Sequence, residues 1–162
     1  MIQERLAKLR ELMKDRGMDA YLVPTADFHE SEYVGDYFKC RSFLSGFTGS
    51  AGTLAVTMDE AVLWVDGRYF VQAGNQLQGS GISMMKMGEA GVPEPEDYLV
   101  DHVPEGGCLG FDGRVVNSFT GKKLERRLAR KKARIACEED LVDLIWTDRP
   151  ELLSEPVWIL KE

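Results

Sequence analysis

Two arginines beside a glycine-rich stretch are the side chains of this sequence best suited to hold an anionic group. Arg41 precedes the run from Gly46 to Gly52, and Arg68 follows the second of two apolar segments that come after it. A guanidinium offers a planar fork of donors that matches a carboxylate. A structural salt bridge is the alternative role for each arginine, and the residues alone leave both roles open.

Four possible metal ligands lie within six residues, at Asp27, His29, Glu30 and Glu32. Such an oxygen-rich set with one histidine can bind Mn²⁺ or Zn²⁺. The spacing differs from the HExxH motif, however, and polar loops carry such residues without any metal. We therefore predict no metal site in this chain.

The glycine-rich stretch resembles two known kinds of site without matching either. Gly46, Gly49 and Gly52 are spaced like part of a phosphate-binding loop, but they lead into a strand, and the lysine of such loops is missing. Ser50 lies one glycine short of a nucleophile elbow, in a chain with only two histidines. Tight turns and close backbone approach explain the glycines better, and we predict no catalytic residue here.

The elements around the two arginines are predicted by the apolar pattern. Residues 52–57 and 61–66 are almost continuously apolar and are separated by a short polar loop, which predicts a β-hairpin covered on both faces. Asp66 stands where the second strand ends, so its carboxylate can accept the free amides of a following helix. On that helix Ala73 and Leu77 face inward, and Arg68 faces outward.

The rest of the chain alternates between helical and strand patterns. Helices are predicted near residues 2–16, 37–44, 96–103, 118–132 and 140–146, and strands near 19–24, 82–87, 108–111 and 133–137. The hairpin supplies two more strands, so the tally is about six strands interleaved with about five helices, besides the helix that follows the hairpin. This tally predicts an α/β domain whose sheet is mixed and is flanked by helices.

Charge and composition exclude several classes of protein. The 162 residues carry a net charge of −7, yet residues 122–134 contain eight basic residues and one glutamate, so the remainder carries about −14. A general nucleic-acid binder would not usually surround its basic patch with so much acid, and we read the basic helix as a solvated face or as a contact for an acidic neighbouring domain.

No apolar run suits a membrane span or a signal peptide, and three unpaired cysteines suit a reducing compartment. We expect a cytoplasmic protein with neither nucleic-acid nor membrane partners.

Four long motifs occur in order and together resemble one family: DFHESEY from Asp27, CRSFLSGFTGSAGT from Cys40, LWVDGRYFVQA from Leu63 and DLIWTDRPELLSEPVW from Asp143. They are similar to the N-terminal domain of cytosolic Xaa-Pro aminopeptidases, which are relatives of creatinase and prolidase. The resemblance covers nearly the whole chain. It implies a ribonuclease H-like domain with a mixed six-stranded sheet, spanning residues 1–146, and a linker at 147–162 toward a second domain.

The resemblance also implies that the chain is one domain of a larger enzyme whose domains have different roles. Such proteins remove an N-terminal residue that precedes proline, using two Mn²⁺ or similar ions held in a C-terminal domain that is absent from this sequence. The N-terminal domain then shapes substrate access, often across a homodimer, and Arg68, Arg41 and Tyr69 are expected to border the cleft for proline-containing peptides. This chain alone is expected to be inactive and to hold no cofactor. The alternatives are a free-standing module that binds a protein or peptide and, more remotely, a stand-alone hydrolase.

Overall fold

The computed structural model describes residues 1–160 and contains six strands, five α-helices and two single turns of 3₁₀ helix. The helices are α1 Ile2–Asp15, α2 Cys40–Ser45, α3 Phe70–Gln76, α4 Pro95–His102 and α5 Ser118–Ala129. The strands are β1 Ala20–Pro24, β2 Thr53–Thr57, β3 Ala61–Val65, β4 Ser83–Lys86, β5 Cys108–Phe111 and β6 Arg134–Ala136. The 3₁₀ turns are Asp36–Phe38, before α2, and Gly67–Tyr69, before α3.

All six strands form one mixed sheet in the order β4-β3-β2-β1-β5-β6. The pairs β1–β2 and β2–β3 are antiparallel, and the pairs β3–β4, β1–β5 and β5–β6 are parallel. The predicted hairpin is present, with Leu54 opposite Leu63 and Ala55 opposite Val62. The predicted fold class, a mixed sheet of six strands flanked by helices, is confirmed.

Strand β3 is apolar and buried at every position because both faces of the sheet are covered. On β3, Leu63 and Val65 belong to the core that also contains side chains from α1, α2 and α3. Val62 and Trp64 belong to the opposite core, which contains side chains from α4 and α5. Since successive side chains of a strand point to opposite faces, a strand buried on both sides needs this continuous apolar run.

Helix ends follow the caps that the sequence predicts. Asp66 accepts a hydrogen bond from the amide of Arg68 at 3.0 Å, at the start of the turn before α3. Asn117 accepts one from the amide of Thr120 at 2.8 Å and so caps α5. Gly17, with a φ of 63°, follows the end of α1, as expected of a glycine that stops a helix.

Residues 140–146 form a series of turns, so the predicted helix there is wrong. The Asp140 side chain accepts a hydrogen bond from the amide of Val142, and the Tyr21 hydroxyl accepts one from the amide of Leu141. These bonds satisfy the backbone without a continuing helix. Leu141 and Val142 are still buried against the sheet, which explains why an apolar pattern suggested a packed helix.

Arg149 fastens this C-terminal segment to the domain. Its side chain is 5% exposed and pairs at 2.6 Å with Asp140, which is 7% exposed. It also donates to the Tyr37 carbonyl at 2.9 Å and to the Cys40 sulfur at 3.0 Å. The guanidinium therefore joins residues 140–149 to the 3₁₀ turn and to α2.

We expect Arg149→Met to lower the free energy of unfolding by about 3 kcal/mol, because it leaves the Asp140 carboxylate buried with a weakened set of partners. Chemical denaturation of the purified chain measures this change. Arg16→Met is the matched control, since the Arg16–Glu139 pair is 35% and 42% exposed and an exposed ion pair contributes little to stability. Equal losses in the two variants would contradict a structural role for the buried pair.

Candidate functional site

Arg41 is buried within the domain and holds the glycine-rich loop. The residue is 4% exposed, and its guanidinium donates to the Phe47 carbonyl at 2.7 Å, to the Gly49 carbonyl, and to the Thr25 hydroxyl at 2.8 Å. No carboxylate of residues 1–160 forms a salt bridge with it. Burial lowers the pKa of Arg41 to about 10, which leaves the group charged at neutral pH.

The loop carries glycines because other residues would clash there. A Cβ at Gly49 would lie 2.3 Å from the Phe47 ring, and one at Gly52 would lie 2.9 Å from the Trp64 carbonyl oxygen. Gly46 ends α2 with a φ of 73°, a region that favours glycine. The glycines thus serve tight turns and close approach, as predicted.

Tyr69 and Ser50 meet at the surface of this loop. Their hydroxyl oxygens lie 2.6 Å apart, and the Tyr69 hydroxyl also accepts a hydrogen bond from the Ser50 amide at 3.3 Å. The Ser50 hydroxyl donates to Glu32 at 2.7 Å. Ser50 therefore joins the loop to a tyrosine and a glutamate. Within residues 1–160 it forms no hydrogen bond with a histidine, which a serine nucleophile would require.

Arg68 lies on the outer side of the same network. Its Nε and one terminal nitrogen donate to the two Asp66 carboxylate oxygens at 3.0 and 2.8 Å, and its other terminal nitrogen donates to Glu32 at 3.0 Å. The side chain remains 56% exposed. The structural salt bridge considered for Arg68 is present, and an exposed part of the guanidinium still faces solvent.

Two concave surfaces meet along the contact between Glu32 and Ser50. One is a cavity of about 370 Å³ whose wall includes Tyr33, Phe38, Arg41, Ser42 and Gly49. The other, of about 290 Å³, is bordered by Asp66 and Met87. Arg41 lines the first cavity. Arg68 and Tyr69 contact Glu32 and Ser50, the two residues that border both cavities.

The acidic side chains of residues 27–32 form hydrogen bonds within the domain, and Glu32 among them binds Ser50 and Arg68. Asp27 accepts hydrogen bonds from the amides of His29 and Ser31 at 2.8 and 3.0 Å, and the Glu30 side chain accepts one from Asn117. Within residues 1–160, no group of three or more His, Cys, Asp or Glu side chains is placed to hold a metal ion.

Local sequence patterns suggested Glu32 only as a metal ligand and Ser50 only as a nucleophile, and they did not predict the contacts that the two residues make in this site. Glu32 is 36 residues from Arg68, and Ser50 is 19 residues from Tyr69. Hydrophobic periodicity does not predict contacts between residues that are so far apart in the sequence. Both residues lie in motifs shared with the resembled family, and that is the one signal that points to them.

The chain matches one family model and many proteins of one type. Residues 5–145 match the creatinase/prolidase N-terminal domain. The chain is 42% identical over 167 residues to the Xaa-Pro aminopeptidase app-1 of Caenorhabditis elegans, covering 97% of this chain and 27% of that protein. It is 38% identical over 164 residues to aminopeptidase P2 of Arabidopsis thaliana, covering 98% of this chain and 23% of that protein. The chain thus spans about a quarter of the length of these curated relatives.

Solved structures show the same fold. The crystal structure of the X-prolyl aminopeptidase from C. elegans, described as a cytosolic enzyme with a di-nuclear active site, superposes with a TM-score of 0.90 at 41% identity, covering 99% of this chain and 28% of that chain. The N-terminal domain of the cytoplasmic peptidase PepQ from Mycobacterium tuberculosis has a TM-score of 0.61 at 29% identity, covering 88% of this chain and 98% of that one. Over residues 1–160, no helix has the length and apolar character needed to cross a membrane.

We expect the pKa of Glu32 to lie below that of an ordinary glutamate, because hydrogen bonds from Ser50 and Arg68 stabilise its charged form. Since the pKa is lowered in the folded state, the contribution to stability is present at neutral pH and is lost as the pH falls through that lowered pKa. A carboxyl-carbon NMR titration measures the value directly. Ser50→Ala and Arg68→Ala should each raise it, whereas Lys14→Ala on α1 should leave it unchanged; an unchanged pKa in both site variants would contradict the network.

Proposed function

Because the chain belongs to the creatinase/prolidase N-terminal domain family, we propose that it is the non-catalytic N-terminal domain of a metal-dependent Xaa-Pro aminopeptidase. One observation carries this proposal: nearly all of the chain aligns with Xaa-Pro aminopeptidases of which it covers only about a quarter. Hydrolysis by two metal ions requires several ligands that converge on ions about 3.5 to 4 Å apart. Such a set would come from other parts of the protein.

The two Mn²⁺ ions proposed for the intact enzyme therefore belong outside this chain. The partners proposed for it are its own following domains, a second copy of the enzyme and proline-containing peptides. We also propose a cytoplasmic location for the protein. The similar C. elegans aminopeptidase, which is described as a cytosolic enzyme, supports this location.

Residues 1–146 form the domain in this proposal, and residues 147–162 form the linker to the next one. The exposed apolar side chains of the described part of this segment support the division. Leu153, Val157 and Ile159 are 84%, 98% and 88% exposed, and Trp158 is 74% exposed. A run of this kind gains stability when another surface covers it, and the following domain would supply that surface.

Arg68, with Tyr69 and Arg41, is proposed to border the cleft that admits the peptide. Arg68 has the exposed guanidinium, and Asp66 and Glu32 hold it in one orientation. A donor that is fixed before binding loses less entropy when it binds a carboxylate or carbonyl. Tyr69 contacts the loop through the Ser50 hydroxyl. Arg41 holds the backbone of the same loop by donating a hydrogen bond to the Phe47 carbonyl.

We expect this 162-residue chain to leave a short Xaa-Pro peptide intact in the presence of Mn²⁺, and the longest product of its source gene to cleave it. The comparison is made by chromatographic analysis of the peptide under identical conditions. Cleavage by the short chain, with metal-chelator sensitivity, would contradict a non-catalytic role. Activity in neither product would favour a free-standing binding module.

In the intact enzyme we expect Arg68→Ala to lower kcat/KM for a proline-containing peptide by about tenfold or more, because it removes a charged hydrogen-bond donor from the proposed cleft. Steady-state kinetics on peptides of two lengths measures the effect. Arg16→Ala is the matched control because Arg16 also forms an exposed ion pair, with Glu139, on another part of the surface. Unchanged kinetics in Arg68→Ala would overturn its placement at the cleft.

A further inference from the structure

The helix α5 has a basic outer face that the proposed function does not use. Leu124 and Leu128 are fully buried and fix the inner face of the helix against the sheet. At 3.6 residues per turn, Lys122, Arg126 and Arg130 fall on the opposite side, one turn apart, with Phe119 on the same side at the start of the helix. We call these four residues the α5 stripe.

The cations beside the stripe are neutralised by α4. Lys123 pairs with Glu96 at 2.9 Å, and Arg127 pairs with Asp97 at 2.7 Å. These pairs link α5 to α4, whose apolar side chains share one core with those of α5, and they leave neither Lys123 nor Arg127 as an unpaired charge. The basic side chains along α5 therefore fall into two sets with different surroundings.

The cations of the stripe have no such partners. Within residues 1–160, no carboxylate forms an ion pair with Lys122, Arg126 or Arg130, and all three residues are exposed. Like charges one turn apart on a helix repel each other. Phe119 is 73% exposed at the end of the same row, so an apolar group lies next to three uncompensated charges.

We propose that the α5 stripe docks an acidic segment of a protein partner. Successive cations are about 6 Å apart along the helix axis, which matches carboxylates on alternate residues of an extended segment or on successive turns of a helix. An apolar side chain at one end of the segment would cover Phe119. This surface is separate from the candidate substrate cleft, and the proposal does not depend on the aminopeptidase assignment.

Charge distribution favours a protein partner over a nucleic acid. The whole chain carries −7, and residues outside 122–134 carry about −14. Glu125 lies on the same helix, and Glu96 and Asp97 pair with the cations beside the stripe. A phosphate backbone wider than the stripe would therefore meet carboxylates. A short acidic segment can contact the α5 stripe without reaching other parts of the surface. A longer polyanion would also approach the negatively charged remainder of the chain and be repelled by it.

The test uses a fluorescein-labelled peptide of twelve residues in which glutamate alternates with serine and a leucine pair ends the chain. Fluorescence anisotropy at about 0.15 M salt, where the screening length is about 8 Å, compares three proteins. The variant Lys122→Gln/Arg126→Gln/Arg130→Gln removes the charges, and glutamine retains helix propensity. The control Lys8→Gln/Lys14→Gln/Lys86→Gln removes three exposed cations elsewhere. Circular dichroism and thermal melting establish that all three proteins are folded.

We expect the stripe variant to bind the peptide about tenfold more weakly than the unchanged chain and the control to bind it equally well. Phe119→Ser should weaken binding several-fold without altering its dependence on salt. Equal weakening in the stripe variant and the control would overturn the proposal, because attraction would then be general. No measurable binding of the peptide, or displacement of it by a single-stranded DNA of equal charge at lower concentration, would also overturn it.

Discussion

The arrangement of the candidate site depends on one buried charge. Arg41 has no carboxylate partner in residues 1–160, and it is held by the carbonyls of the loop that it organises. A buried guanidinium is costly unless its donors are satisfied, so this loop must keep its carbonyls turned inward. The loop in this conformation also passes close to the Phe47 ring and the Trp64 carbonyl, so Gly49 and Gly52 have no room for a side chain. It also places the Ser50 hydroxyl on the outside, where Tyr69 and Glu32 contact it.

A second buried arginine relates this site to the C-terminal segment. Arg149 contacts Tyr37 and Cys40, and Arg41 belongs to the same short helix as Cys40. The wall of the cavity and the start of the exit segment therefore share one small structural unit. Burial raises the pKa of Cys40 to about 12, so this thiol acts as packing and as a weak acceptor, and it has little thiolate character at neutral pH.

The sequence allowed the sheet to be predicted better than the site. Strands buried on both faces and caps such as Asp66 and Asn117 depend on neighbours within a few residues, and those patterns are visible in one sequence. The segment at residues 140–146 was mistaken for a helix because its amides are satisfied by Tyr21 and Asp140, and the Tyr21 contact spans 120 residues. The same limit applies to the site. The pairing of Glu32 with Arg68 arises only when the acidic loop is brought against the turn after β3.

The two candidate arginines show why residue type alone did not assign their roles. Both were expected to offer a fork to a carboxylate or to form a salt bridge, and the structure gives them different surroundings. Arg41 is committed to neutral acceptors and has little exposed surface, so it sets the shape of the loop. Arg68 is paired with two carboxylates yet remains more than half exposed, and its pairs are weakened by water and salt. A negatively charged ligand can therefore compete for Arg68 far more easily than for Arg41. Arg68 thus has the surroundings of a contact residue, and Arg41 those of a residue that positions it through the loop.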